Sequence, residues 1–156
     1  MTEPKRTYLV VIDDNAEARN ALRFAARRAA GTGGAIEVLA IVEPQEFVQW
    51  GGVQAAIEEE QQLRIEASIA AALADFPGTA GVAPDAILVR AGEPVTVVLD
   101  HLGERSDIAA LVLGTAPTGD PGALVSAFTG ADTGKLPCPV MVIPGGLTDE
   151  RLAQLS

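Results

Sequence analysis

The sequence predicts an α/β domain, a doubly wound parallel sheet covered by helices on both faces. Five short runs rich in Val, Ile and Leu, at residues 8–12, 36–42, 86–89, 109–113 and 140–143, show little strict alternation, which is the pattern of strands buried on both sides. Between most of them lie Ala-rich segments with helical spacing, the alternation that builds a helix-covered parallel sheet. The length of 156 residues corresponds to about one domain. A chain of that size buries roughly two-thirds of the surface its unfolded form exposes, so it needs neither disulfides nor a metal to fold.

The first helix carries the clearest signals. Asp14 followed by Glu17 makes a capping-box pattern, Ala18, Leu22, Ala25 and Ala29 repeat on one face, and Gly31, Gly33 and Gly34 end the segment. Arg19, Arg23 and Arg27 lie four apart on the other face, which reads as a solvated helix exterior. After the second strand, Glu43-Pro44 opens a loop holding Phe47, Trp50, Gly51 and Gly52. Two of the six aromatics there suggest a lid, a partner contact or local packing. A long helix then runs over residues 53–74 until Phe76-Pro77-Gly78 stops it. Its Glu58, Glu59 and Glu60 read as a solvated face favoured by the helix dipole.

Gly92-Glu93-Pro94 turns into a third helix with Pro94 at its first position. His101 lies inside that helix with no nucleophile near it in sequence and reads as surface or packing. A Gly/Pro-rich stretch from Gly114 to Gly122 leads to an apolar segment through Phe128. Cys138, between two prolines at the entry to the last strand, reads as a small apolar filler. Thr148-Asp149-Glu150 opens a short terminal helix with Leu152 and Leu155, too poor in apolar groups to be stable alone and therefore expected to dock. The division expected is a domain over 1–144 and a tail over 145–156.

Composition excludes several functions. Eleven Lys and Arg against 21 Asp and Glu give a net charge of −10, which disfavours nucleic acid and anionic membranes alike. One cysteine cannot form an internal disulfide, and a single histidine cannot supply a His-rich metal site, so no metal is expected. The first apolar run is too short for a signal-peptide core, and no stretch approaches the ~18 apolar residues of a membrane span. The expectation is a soluble cytoplasmic protein.

Ligands of open parallel sheets bind beyond the carboxyl ends of the strands, where the winding reverses. If the first and fourth strands are neighbours, Asp13 can accept hydrogen bonds from a sugar or base while Gly114 lets a ligand approach the backbone. The plainer reading is that Asp13 and Asp14 cap the helix and Gly114 makes a turn. No Walker loop is present, because Gly134-Lys135 is followed by Leu136, and the first turn lacks Gly-x-Gly-x-x-Gly. Pro117 and Pro121 remove two N–H donors from the loop after Gly114, and Asp120 adds negative charge.

In order, a strand ending at Asp13, the Ala-rich first helix, Ile41-Val42-Glu43-Pro44, Gly92-Glu93-Pro94, Leu111-Val112-Leu113-Gly114-Thr115 and Cys138-Pro139-Val140-Met141-Val142-Ile143 resemble the universal stress protein family over residues 6 to 144. The resemblance implies a five-stranded parallel sheet of order 3-2-1-4-5, Rossmann-like and of the adenine-nucleotide alpha-hydrolase type. It also implies a homodimer joined through the last strands at Val140, Met141, Val142 and Ile143, since an unpaired apolar edge invites pairing. Some members bind ATP or AMP through Gly, two residues, Gly, nine residues, Gly, then Ser or Thr. Here Gly114 matches, but the later positions fall on Pro117, Ala127 and Phe128. The base and ribose half of such a site would comprise Asp13, Ile41, Val42, Leu113, Gly114 and Thr115. The resemblance thus implies a non-catalytic stress-response homodimer with a degenerate nucleotide site and no required cofactor. The alternative is an ATP or AMP sensor, and an enzyme built on Asp13 and His101 is a third reading.

Overall fold

Five parallel strands stand side by side in the order β3-β2-β1-β4-β5. The computed structural model describes residues 5–13, 18–42 and 54–156, and for 54–58 the backbone alone. In chain order the elements are β1 (Thr7–Asp13), α1 (Ala18–Thr32), β2 (Ala35–Val42), α2 (Gln54–Ala74), β3 (Ala86–Ala91), α3 (Pro94–Gly103), β4 (Ile108–Gly114), α4 (Ala123–Phe128), β5 (Val140–Ile143) and α5 (Asp149–Leu155). The Asp14–Glu17 capping pattern and the Phe47/Trp50 loop lie outside the described residues.

The sheet's two faces explain why the runs do not alternate. Tyr8, Val10, Ile36, Val38, Ala110 and Val112 pack with Ala21, Leu22, Ala25, Ala26 and Ala29 of α1 and Ile69 and Leu73 of α2. Leu9, Val11, Leu39, Leu111 and Leu113 face the other way, onto Val98 and Leu102 of α3 and Leu124 and Phe128 of α4. Both faces are apolar because both are covered. The small side chains of α1 let it lie close on the strands, as their spacing predicts. Where α1 gives way to β2, a Cβ on Gly34 would come within 2.7 Å of the Arg6 carbonyl, so the crossing tolerates no side chain.

Glu93 caps α3 with its carboxylate on the N–H groups of Val95 and Thr96, and Pro94 occupies the first helical position. Those bonds hold the Glu93 carboxyl below the usual carboxylate range. Thr148 caps α5 through the N–H of Arg151, and Leu152 of that helix is fully buried in the α1–α2 side of the core. The short terminal helix therefore docks as expected.

The arginine stripe of α1 is solvated at Arg19 but not at Arg23. Arg23 is 4% exposed. Its Nε donates to the Ala72 carbonyl at 2.8 Å, its Nη1 to Asp149 at 3.2 Å, and its guanidinium stacks 5.0 Å from the Phe76 ring centroid. Arg27 donates to the Pro77 carbonyl at 2.6 Å. A guanidinium survives burial when its donors find acceptors, and the carbonyls at a helix C-terminus are strong ones. Arg23 thus ties α1 to the end of α2 and to α5.

A second buried charge lies on the opposite face. Glu37 of β2 is 2% exposed. Its Oε1 lies 2.9 Å from His101 Nε2, and its Oε2 accepts from Arg105 Nη1. Arg105 also grips Asp107 with two bonds of 2.7 and 2.6 Å, pulling the Asp107 carboxyl below its usual range. His101, read from sequence as surface or packing, is the second: it anchors the end of α3 to β2. Removing one partner of a buried pair costs about 3–5 kcal/mol, whereas replacing both by apolar groups is often neutral. Arg105→Met is expected to lose about 3 kcal/mol in urea unfolding, at the lower end of that range because the arginine side chain is 31% exposed. The double variant Glu37→Leu/Arg105→Met should lose less than the single. Additive losses would contradict the pairing.

Candidate functional site

Parallel pairing sets Tyr8 against Ala110 and Val10 against Val112, so β1 and β4 are neighbours at the centre and their carboxyl ends emerge together. The chain leaves β1 towards α1 on one face and leaves β4 towards α4 on the other, which makes this the switch point of the sheet. A crevice at that point is lined by Val11, Asp13, Leu113, Gly114, Pro121, Gly122, Leu124 and Val125.

Of the residues singled out from sequence, the structure gathers Asp13, Leu113 and Gly114 in this crevice. Ile41 and Val42 end β2, with Ile41 in register with Asp13, but neither lines the cavity among the described residues. Thr115 is engaged elsewhere: its N–H donates to the Ile143 carbonyl at 3.0 Å, and its hydroxyl accepts from the Gly145 N–H at 3.3 Å. It fastens the chain after β5 to the end of β4.

Between its described lining residues the crevice is narrow. Its volume is about 10 Å³, room for about one water, against the roughly 300–1,000 Å³ of small-molecule sites. The wall that fills it comes from residues 121–125. Gly122 adopts φ +107°, a conformation an L side chain disfavours, and this turns the chain into α4 so that Leu124 and Val125, both buried, pack over the strand ends. Asp120 accepts from the Gly122 N–H at 2.9 Å, an Asx-type turn. A donor that could meet a ligand anion is therefore already paired with a carboxylate of the same loop, and Pro117 and Pro121 carry no N–H.

The sequence showed the missing donors and the added charge of this loop. It did not show that Leu124 and Val125 fall on the strand ends, because periodicity gives a helix's apolar face but not its position along the sheet. Nor did it flag Glu37, although a lone carboxylate in an otherwise apolar strand was a usable signal. Cys138 is half-buried against the α3–α4 side of the core, and burial pushes its thiol up, in line with a filler. No group of acidic, His or Cys residues that could hold a metal occurs among the described residues, and no helix there is long and apolar enough to cross a membrane.

The family model of the Universal stress protein family matches residues 5–144. The chain belongs to that family. Among solved structures it is similar to the universal stress protein UspA from Lactobacillus plantarum, at 18% identity and a TM-score of 0.61, covering 91% of this chain and 99% of that one. It is also similar to the universal stress protein from Archaeoglobus fulgidus in complex with dAMP, at 20% identity and 0.54, covering 89% and 97%. A third is a universal stress protein in complex with cAMP, at 16% and 0.58, covering 92% and 99%. No curated protein matches the sequence. At these identities the likeness establishes the fold.

Proposed function

We propose that this universal stress family member is a non-catalytic homodimer whose adenine-nucleotide crevice is closed. The observation that carries the reading is the crevice itself, with about 10 Å³ left between Asp13, Gly114 and the Pro121–Val125 wall. An adenine needs far more room. The phosphate half fares no better, since Asp120 already sits on the Gly122 N–H and the family's later glycines are replaced by Pro117 and Ala127. The candidate catalytic groups do not meet either. His101 is held by Glu37 beneath α3, near the amino end of β2 and away from the strand ends where Asp13 stands.

The relatives bound to cAMP and dAMP favour a second reading, an adenine-nucleotide sensor in which residues 121–125 move aside. Calorimetric titration separates the two. With ATP, AMP and cAMP the closed-site reading expects no binding heat up to about 1 mM ligand, a Kd weaker than the ~4 kcal/mol range. Micromolar binding of any of them would overturn it and establish the sensor.

The dimer is supported by the edge of the sheet. The Pro139 carbonyl accepts from Leu111 of β4 and the Ile143 carbonyl from Thr115 just after it, so the alternation of a strand turns the N–H and C=O of Val140 and Val142 outward. That edge has no partner strand among the described residues. A second copy pairing there would need those outward groups. Val142→Pro removes one outward N–H while keeping every bond to β4, and proline is tolerated at such a position. The variant is expected to elute as a monomer in size exclusion with light scattering, where the parent is a dimer. A monomeric parent, or a dimeric variant, would contradict the interface.

A further inference from the structure

A second cavity is far larger than the crevice. It lies on the opposite face of the sheet, between α1, α2 and the chain that follows β5, with a volume of about 680 Å³. That is the size of a small-molecule site, and it shares no lining residue with the crevice. Its apolar lining comes from Ile12, Leu22 and Ile69, the last two buried in the core beneath α1 and α2. Arg23 and Asp149 also line it, but they are spent on each other at 3.2 Å.

Two other charges line it unspent. Arg19 lies on α1, and Asp75 directly follows the last residue of α2. Neither has a hydrogen-bond or ion-pair partner among the described residues. Asp75 stands at the unfavourable end of its helix, an anion at a negative C-terminus. Such a placement weakens a fold, and a local rule broken without local compensation marks a functional position. Two unpaired charges of opposite sign, Arg19 and Asp75, open on one cavity. Asn20, 8% exposed, spends its amide N–H groups on the carbonyls of Pro144, Gly145 and Leu147 at 3.4 to 3.5 Å. Its carbonyl oxygen accepts no hydrogen bond from a described residue, which leaves an acceptor in the lining.

We propose that this cavity binds a small zwitterion with an apolar body, of the kind of a short apolar peptide, its anionic group at Arg19, its cationic group at Asp75 and its body on Ile12, Leu22 and Ile69. An N–H of the ligand meets the Asn20 carbonyl. The α2 dipole reinforces one of the charge contacts, because the ligand brings a cation to the α2 C-terminus. Asn20 and the Arg23–Asp149 pair hold the chain after β5 as the third wall.

The test is calorimetric titration of the full chain with L-leucyl-L-leucine, its N-acetyl form and its C-terminal amide. The zwitterion is expected to bind with a Kd on the order of 100 µM, and each capped form at least about tenfold more weakly, since each lacks one charge contact. Arg19→Glu and Asp75→Lys should each weaken the zwitterion about tenfold, and Asp75→Lys should at the same time raise the thermal midpoint of the ligand-free protein by about 1–2 °C, because it puts a favourable charge at its helix end. That rise separates lost recognition from lost folding. Ser68→Phe, at an exposed lining position, should block binding and leave the midpoint unchanged. Absence of binding at about 10 mM zwitterion, equal binding of the parent and a capped form, or variants that bind as the parent does would each overturn the proposal.

Discussion

The pairing of β1 with β4 is the constraint on which the rest depends. Because those strands are parallel neighbours and their helices depart to opposite faces, one crevice must open at their carboxyl ends. Everything specific about this chain is what its sequence does there. Its family relatives with dAMP and cAMP share the fold, and here Pro121, Gly122, Leu124 and Val125 line the switch point beside Asp13 and Gly114. A loop of two prolines and a self-satisfying Asp120–Gly122 turn packs the space with apolar side chains and leaves few donors for an anion. An anion cradle would need those N–H groups free and that space open.

Among the described residues, one buried charge lies on each side of the sheet, Arg23 on α1 and Glu37 on β2, and each is used as a fastener. Arg23 joins α1 to the end of α2 and to α5, and Glu37 joins β2 to the end of α3. In both places a lone charge within an apolar surface is tolerated because several partners reach it at once. These fasteners select one docking of the covering helices where small side chains alone would allow sliding. The first of them also builds the third wall of the large cavity, so the packing of the C-terminal helix and the existence of that cavity have one cause.

The architecture was legible in the sequence because parallel strands buried on both faces are read from composition alone. Strict alternation was not needed: runs such as 36–42 and 109–113 stand out as continuous apolar stretches, and Glu93-Pro94 and Thr148 marked helix starts that the structure places within a residue or two. Strand order required the family resemblance. Side-chain destinations were less legible. Arg23 looks like any exterior arginine on a helical wheel, and its burial is decided by where α2 ends, a long-range fact. The same holds for Leu124 and Val125, whose position over Asp13 and Gly114 follows from the length of the loop between β4 and α4. Asp13, Leu113 and Gly114 line one crevice, while Thr115 bonds to Ile143 and Gly145.

The most direct measurement is a crystal structure of the chain grown with about 5 mM ATP, well above the affinity of a functional nucleotide site. The account predicts no nucleotide density over Asp13 and Leu113, with Leu124 and Val125 packed on the strand ends and the Asp120 carboxylate on the Gly122 N–H. An adenine ordered beside Asp13, with residues 121–125 displaced, would contradict it.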